Sequence, residues 1–76
     1  MTKIKRISGK EVVKRLEQLG FKRIRQRGSH VVLKKQTLEY SVGCVVPLHK
    51  ELAIGTLRGI LKQAKLSSEE FMTDFK

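Results

Sequence analysis

The sequence predicts an α+β domain of order α-β-β-β-α, a three-stranded antiparallel sheet with its helices on one face, plus a short C-terminal helix. Three observations predict it. Apolar residues recur at helical spacing at both ends of the chain, near residues 12–19 and 57–64. Between them lie three short runs rich in β-branched residues, separated by turn signals. And 76 residues hold only one small core, so residues 1–76 are read as one domain.

The first helix begins at Ser8. Ser8 is a favourable N-cap, Glu11 completes a capping box, and Ile7 with Val12 supplies a hydrophobic staple. Val12, Val13, Leu16 and Leu19 form the apolar stripe, while Lys10, Lys14 and Arg15 share the other face with Glu17 and Gln18. Gly20 suits the left-handed position that ends helices, with Phe21 packing back on Leu16.

The basic stretch 22–27 is compatible with a short exposed strand, and Gly28-Ser29 marks a turn. The run from His30 to Lys34 reads as a second strand, completing a hairpin. Residues 35–39 connect to a third strand, Tyr40 to Val46, closed by Pro47. Gly43 suggests a bulge or a close backbone approach there. Leu57, Ile60, Leu61 and Ala64 carry the second long helix, which starts between Ala53 and Thr56. Ser67 and Glu70 form another capping box, with a Leu66–Phe71 staple. Phe71, Met72 and Phe75 give that last helix its apolar face. Phe21, Tyr40, Phe71 and Phe75 are assigned to the core, being too few and scattered for a base-stacking platform.

Charge narrows the function. The chain holds 17 Lys and Arg against 7 Asp and Glu, a net +10. Up to Lys35, twelve basic residues face only Glu11 and Glu17; beyond it, five face five. The whole excess therefore sits in the N-terminal half, the footprint expected of a nucleic-acid binder. The lone Cys44 excludes an internal disulfide and any multi-cysteine zinc site, and reads as a small core residue. No apolar run approaches the roughly 20 residues that span a bilayer. The basic N-terminus has no apolar region behind it of the kind a secretory signal needs. A cytoplasmic setting is expected, with no membrane partner, no metal and no small-molecule cofactor.

Catalytic candidates are few. His30 and His49 are the only side chains whose unperturbed pKa lies near neutrality. His30 follows Gly28, which leaves backbone room for a ligand, and Ser29, whose hydroxyl is placed to bond a phosphate or simply to serve the turn. Arg25 and Arg27 precede it, Lys34 and Lys35 follow, and a hairpin gathers these cations near the imidazole. An imidazole among fixed cations suits RNA transesterification, in which a 2′-hydroxyl loses a proton and a 5′-oxygen gains one. Arg or Lys then neutralises the charge on phosphorus. His49, just past Pro47, is an auxiliary candidate for the second proton transfer, or an ordinary residue orienting the approach to the next helix. Lys10 and Lys14 would extend an RNA track along the first helix. The same basic half would also serve a non-catalytic RNA-binding module or a ribosome-associated basic protein.

Several stretches, taken in order, resemble the HicA toxin family. These are Ser8-Gly9-Lys10-Glu11-Val12-Val13, Leu19-Gly20-Phe21, Gly28-Ser29-His30, Val46-Pro47-Leu48-His49, the run from Gly55 to Ala64, and Ser67-Ser68-Glu69-Glu70-Phe71. The resemblance implies a fold like the double-stranded-RNA-binding domain. It implies a small mRNA-cleaving ribonuclease, an mRNA interferase that inhibits translation and arrests growth. It further implies one catalytic histidine, mapping to His30, and a HicB-type antitoxin covering the active site. Lys65 stands where many members carry Gly. A left-handed backbone there would cost on the order of 1 kcal/mol.

Overall fold

The computed structural model describes residues 7–73; Phe75 and the N-terminal cations Lys3, Lys5 and Arg6 lie outside the described residues. The elements run α1 (Gly9–Gln18), β1 (Lys22–Arg27), β2 (His30–Gln36), β3 (Ser41–Pro47), α2 (Ile54–Gln63) and α3 (Ser68–Met72). The strands form one antiparallel sheet in the order β1-β2-β3. This is the α-β-β-β-α arrangement with a short terminal helix that the sequence leads one to expect.

Local chemistry explains the helix ends. At α1 the Ser8 hydroxyl accepts the Glu11 N–H at 3.1 Å, and the Glu11 carboxylate accepts the Ser8 N–H at 2.9 Å. Ile7 and Val12 are both buried beside this box, as a staple requires. At the other end Gly20 adopts φ 101°, so that Phe21 N–H reaches Leu16 O and Gly20 N–H reaches Glu17 O. The same pairing closes α2, from Leu66 N–H to Leu61 O and from Lys65 N–H to Lys62 O. There the left-handed position falls on Lys65, at φ 56°. The Ser67–Glu70 box starts α3. The Ser67 N–H, then the Ser67 hydroxyl partnership, hold the Glu70 carboxyl below its ordinary pKa, with Lys35 adding a smaller pull.

Two side-chain placements are corrected, and the choice left open at Gly43 is settled. Arg15 does not share the solvent face of α1; it is 8% exposed. Its guanidinium donates to Phe71 O at 2.7 Å, to Glu70 O at 3.2 Å and to Thr73 O, satisfying carbonyls at the end of α3. Tyr40 is half exposed rather than in the core. It closes a tight connection in which the Thr37 hydroxyl accepts the N–H groups of Glu39 and Tyr40. That compact turn lets β2 run on to Gln36. The ladder also passes regularly through Gly43, opposite Lys34; the irregularity lies in β1, between Arg23 and Arg25. Gly43 is a close approach instead, since a Cβ there would stand 3.3 Å from Leu33 O.

The two sheet faces differ sharply. On β2 and β3 the buried residues alternate: Val31 and Leu33 beside Val46 and Cys44. They pack under Val12, Val13 and Leu16 of α1, Leu57, Ile60 and Leu61 of α2, and Phe71 of α3. Burying one such side chain is worth about 1.5–3 kcal/mol. Among the described residues the opposite face carries no helix and stays open, and it is there that the histidine-bearing end of β2 presents its side chain.

Candidate functional site

The site is built from the hairpin turn outward. Gly28 has φ 56° at the first of two turn residues, the pattern of a II′ turn, which matches the twist of the flanking strands. A Cβ on Gly28 would meet nothing within 4 Å, so the turn is open to solvent. The Gln26 side chain donates to Gly28 O at 3.0 Å. Ser29 O accepts the Leu48 N–H at 2.6 Å, fastening the turn to the chain leaving β3. His30 then opens the central strand, with Arg27 opposite it on β1 and Pro47 opposite it on β3.

Cross-strand partners project to the same side of a sheet. Counting outward from His30, the open face carries Arg27 beside His30, Arg25 beside Val32, and Lys22 beside Lys34. All four of these cations are exposed, as is His30. Among the described residues, no hydrogen bond or ion pair engages the His30 imidazole. The described strands contain no Asp or Glu at all. The described acidic residues sit elsewhere, on α1, α3 and the connections. Glu17, for example, pairs with Arg23 at 3.3 Å, on the rung that faces the core side opposite Leu33. Positive charge is thus uncompensated on the open face and partly offset on the helix side.

The structure sets His30 beside Arg27 and the Gly28-Ser29 turn, with Arg25 and then Lys34 further along the same face. Lys35 does not join them. Its strand position points to the helix side, where its ammonium group lies 6.0 Å from the Phe21 ring centroid. Lys34 and Lys35 are adjacent in sequence and therefore on opposite faces, which hairpin proximity alone did not separate. Lys10 and Lys14 are exposed on α1, behind the sheet. Lys10 lies in the turn nearest the His30 end, and Lys14 one turn further along.

His49 is exposed at that same end, two residues beyond the ladder partner of His30. Its carbonyl accepts the Gly9 N–H at 2.9 Å. Gly9 is the residue that sequence reasoning missed as a structural requirement. A Cβ there would stand 2.0 Å from Pro47 O and 2.8 Å from Leu48 Cα, so α1 meets the β3 exit backbone to backbone. The signal available was a glycine in the first turn of an otherwise well-formed helix, where Ala is the better residue on propensity. This seam fixes where His49 and Lys10 stand relative to the turn at His30.

No three His, Cys, Asp or Glu residues cluster as metal ligands among the described residues. The Cys44 thiol is buried, and burial pushes its pKa up to about 11, which keeps it protonated and unreactive at neutral pH. No described helix is long and apolar enough to cross a membrane.

Comparison with individual curated proteins returns no significant match. The sequence model of a family described as the HicA toxin of bacterial toxin–antitoxin matches residues 9–66. That span runs from the glycine seated on Pro47 through the whole sheet and α2 to Leu66. The chain is a member of the HicA toxin family of bacterial toxin–antitoxin systems.

Proposed function

We propose that this toxin is a metal-independent endoribonuclease that cleaves mRNA in the cytoplasm, with His30 as its proton-transfer residue, and so arrests translation and growth. A HicB-type antitoxin restrains it by covering the open face. The observation that carries the reading is an exposed imidazole at the start of β2, on a face whose described strands hold no acid, with Arg27 and Arg25 on the neighbouring strand.

The chemistry needs little else. The 2′-oxygen of a ribose attacks the adjacent phosphorus as its proton leaves, and the 5′-oxygen departs as it gains one. The products are a 2′,3′-cyclic phosphate and a 5′-hydroxyl, and no co-reactant is consumed. His30 carries one of the two protons: as neutral imidazole it takes the first, as imidazolium it gives the second. His49 is the candidate for the other. Arg27 neutralises the charge developing on the phosphorane, and Arg25 and Lys34 hold flanking phosphates. The Gly28-Ser29 turn allows close approach of the strand being cut. Lys10 extends the track at the His30 end, with Lys14 behind it, and Lys35 is left out because it faces the other way.

The test compares wild type with His30→Ala, expressed with and without the antitoxin. The substitution should lower RNA cleavage by about 10²- to 10⁴-fold, abolish growth arrest, and leave fold and antitoxin binding intact. A His30→Ala protein that still cuts RNA at the wild-type rate overturns the catalytic role. A wild type that binds RNA but never cuts it supports a non-catalytic RNA-binding module instead.

A further inference from the structure

The open face continues beyond the proposed cleavage point. At the far end of the β1–β2 ladder, Gly20, Lys22, Ile24, Lys34 and Gln36 line a hollow of about 250 Å³. Lys22 and Lys34 are ladder partners, and neither carries an ion pair among the described residues. Ile24 is the residue at the β1 irregularity, and it is 56% exposed, an apolar side chain standing among cations. The amide of Gln36 is exposed and has no hydrogen-bond partner among the described residues. Lys34 stands four residues along β2 from His30, which at the rise of a strand is about 13 Å.

Resting on the RNA reading above, we propose that this hollow is a nucleotide subsite, remote from the scissile bond, for single-stranded RNA laid along the open face. The three kinds of group it offers match the three parts of a nucleotide. Two ammonium groups meet a phosphate, an apolar side chain lies against the flat of a base, and an amide with both a donor and an acceptor meets the base edge. Arg25, between the two ends, bridges them with a further cation.

Single-strandedness follows from shape. A base settles into a hollow on a sheet face only when it is unpaired and swung out of its stack. A duplex keeps its bases turned inward and must be read by elements that project into its grooves. The β1–β2 connection is a two-residue turn, too short to reach into a groove. Gln36 thus becomes the residue that sets base preference at a position away from the cut.

The test measures binding with the His30→Ala protein, which leaves its RNA whole, using labelled single-stranded oligoribonucleotides of mixed sequence and the same sequence fully paired. In that background Lys22→Gln should weaken single-strand binding by about tenfold and reduce the salt slope by about 0.7. Gln36→Ala should alter the preference among homopolymeric oligonucleotides. Lys62→Gln removes the same charge from the exposed side of α2 and should leave affinity within about twofold of the parent, since only the general field changes. The duplex should bind more weakly than the single strand. Parent-like binding by both Lys22→Gln and Gln36→Ala, equal losses from Lys22→Gln and Lys62→Gln, or tighter binding of the duplex each overturns the subsite. Failure of the native His30 protein to cut RNA is a separate result, and it overturns the nuclease reading while the binding data still judge the hollow.

Discussion

Gly9 is held to its identity by a backbone oxygen. The N–H of Gly9 donates to His49 O, and the side a Cβ would occupy is filled by Pro47 O. Gly9→Ala should therefore cost about 3 kcal/mol, or roughly 12–24 °C in Tm, because backbone rather than a flexible side chain must give way. A melting curve within a degree of wild type would show that the seam yields cheaply. Cys44 gives a different kind of test. Its folded thiol keeps its proton up to about pH 11, against an ordinary value of 9.0. The stability this contributes is fully present below pH 9 and is lost as the pH rises through 11. Chemical denaturation of wild type and Cys44→Val across this window should show a steeper decline for wild type. Parallel declines would contradict the buried, protonated thiol. At this scale His30 was legible as a candidate because the chain holds only two histidines, the residue type suited to proton transfer near neutral pH. The requirement at Gly9 was not, because the atom that imposes it belongs to residue 47.

The elements were legible where their determinants are local. Both capping boxes and the Gly20 helix end rest on residues a few positions apart, and the structure contains each of them, with the staple residues Ile7, Val12, Leu66 and Phe71 all in or against the core. Arg15 was illegible for the opposite reason. Its partners are the carbonyls of residues 70, 71 and 73, so only the folded chain reveals that a cation on α1 completes α3. Lys65 lies between these cases. It occupies the left-handed position of a helix ending in which Gly is the usual residue, and its side chain makes the backbone conformation costly. Lys65→Gly should stabilise the protein by about 1 kcal/mol, read from urea unfolding at unchanged m value. No change, or a loss, would mean that the conformational entropy of the new glycine cancels the relief.

For the whole molecule, net charge predicted an anionic partner, but the chain alone did not say which surface would meet it. Counting cations along the sequence grouped Lys34 with Lys35 and Arg23 with Arg25. Strand alternation and the β1 irregularity then divided them, sending Lys34 and Arg25 to the open face and Lys35 and Arg23 to the helix side. The helices cover one side of the sheet with nearly all of the apolar core, and the acidic residues stay off the strands. The result is a small body whose uncovered side is cationic, with one imidazole at its edge. As proposed, this imidazole moves a proton while a ribose hydroxyl attacks the neighbouring phosphorus. The most direct measurement incubates the purified toxin with an oligoribonucleotide and with its twin bearing a 2′-deoxy sugar at the scissile nucleotide. The first should be cut, leaving a 2′,3′-cyclic phosphate, and the second should stay intact at that position. Cutting of the deoxy-substituted strand at the same bond would contradict the proposal.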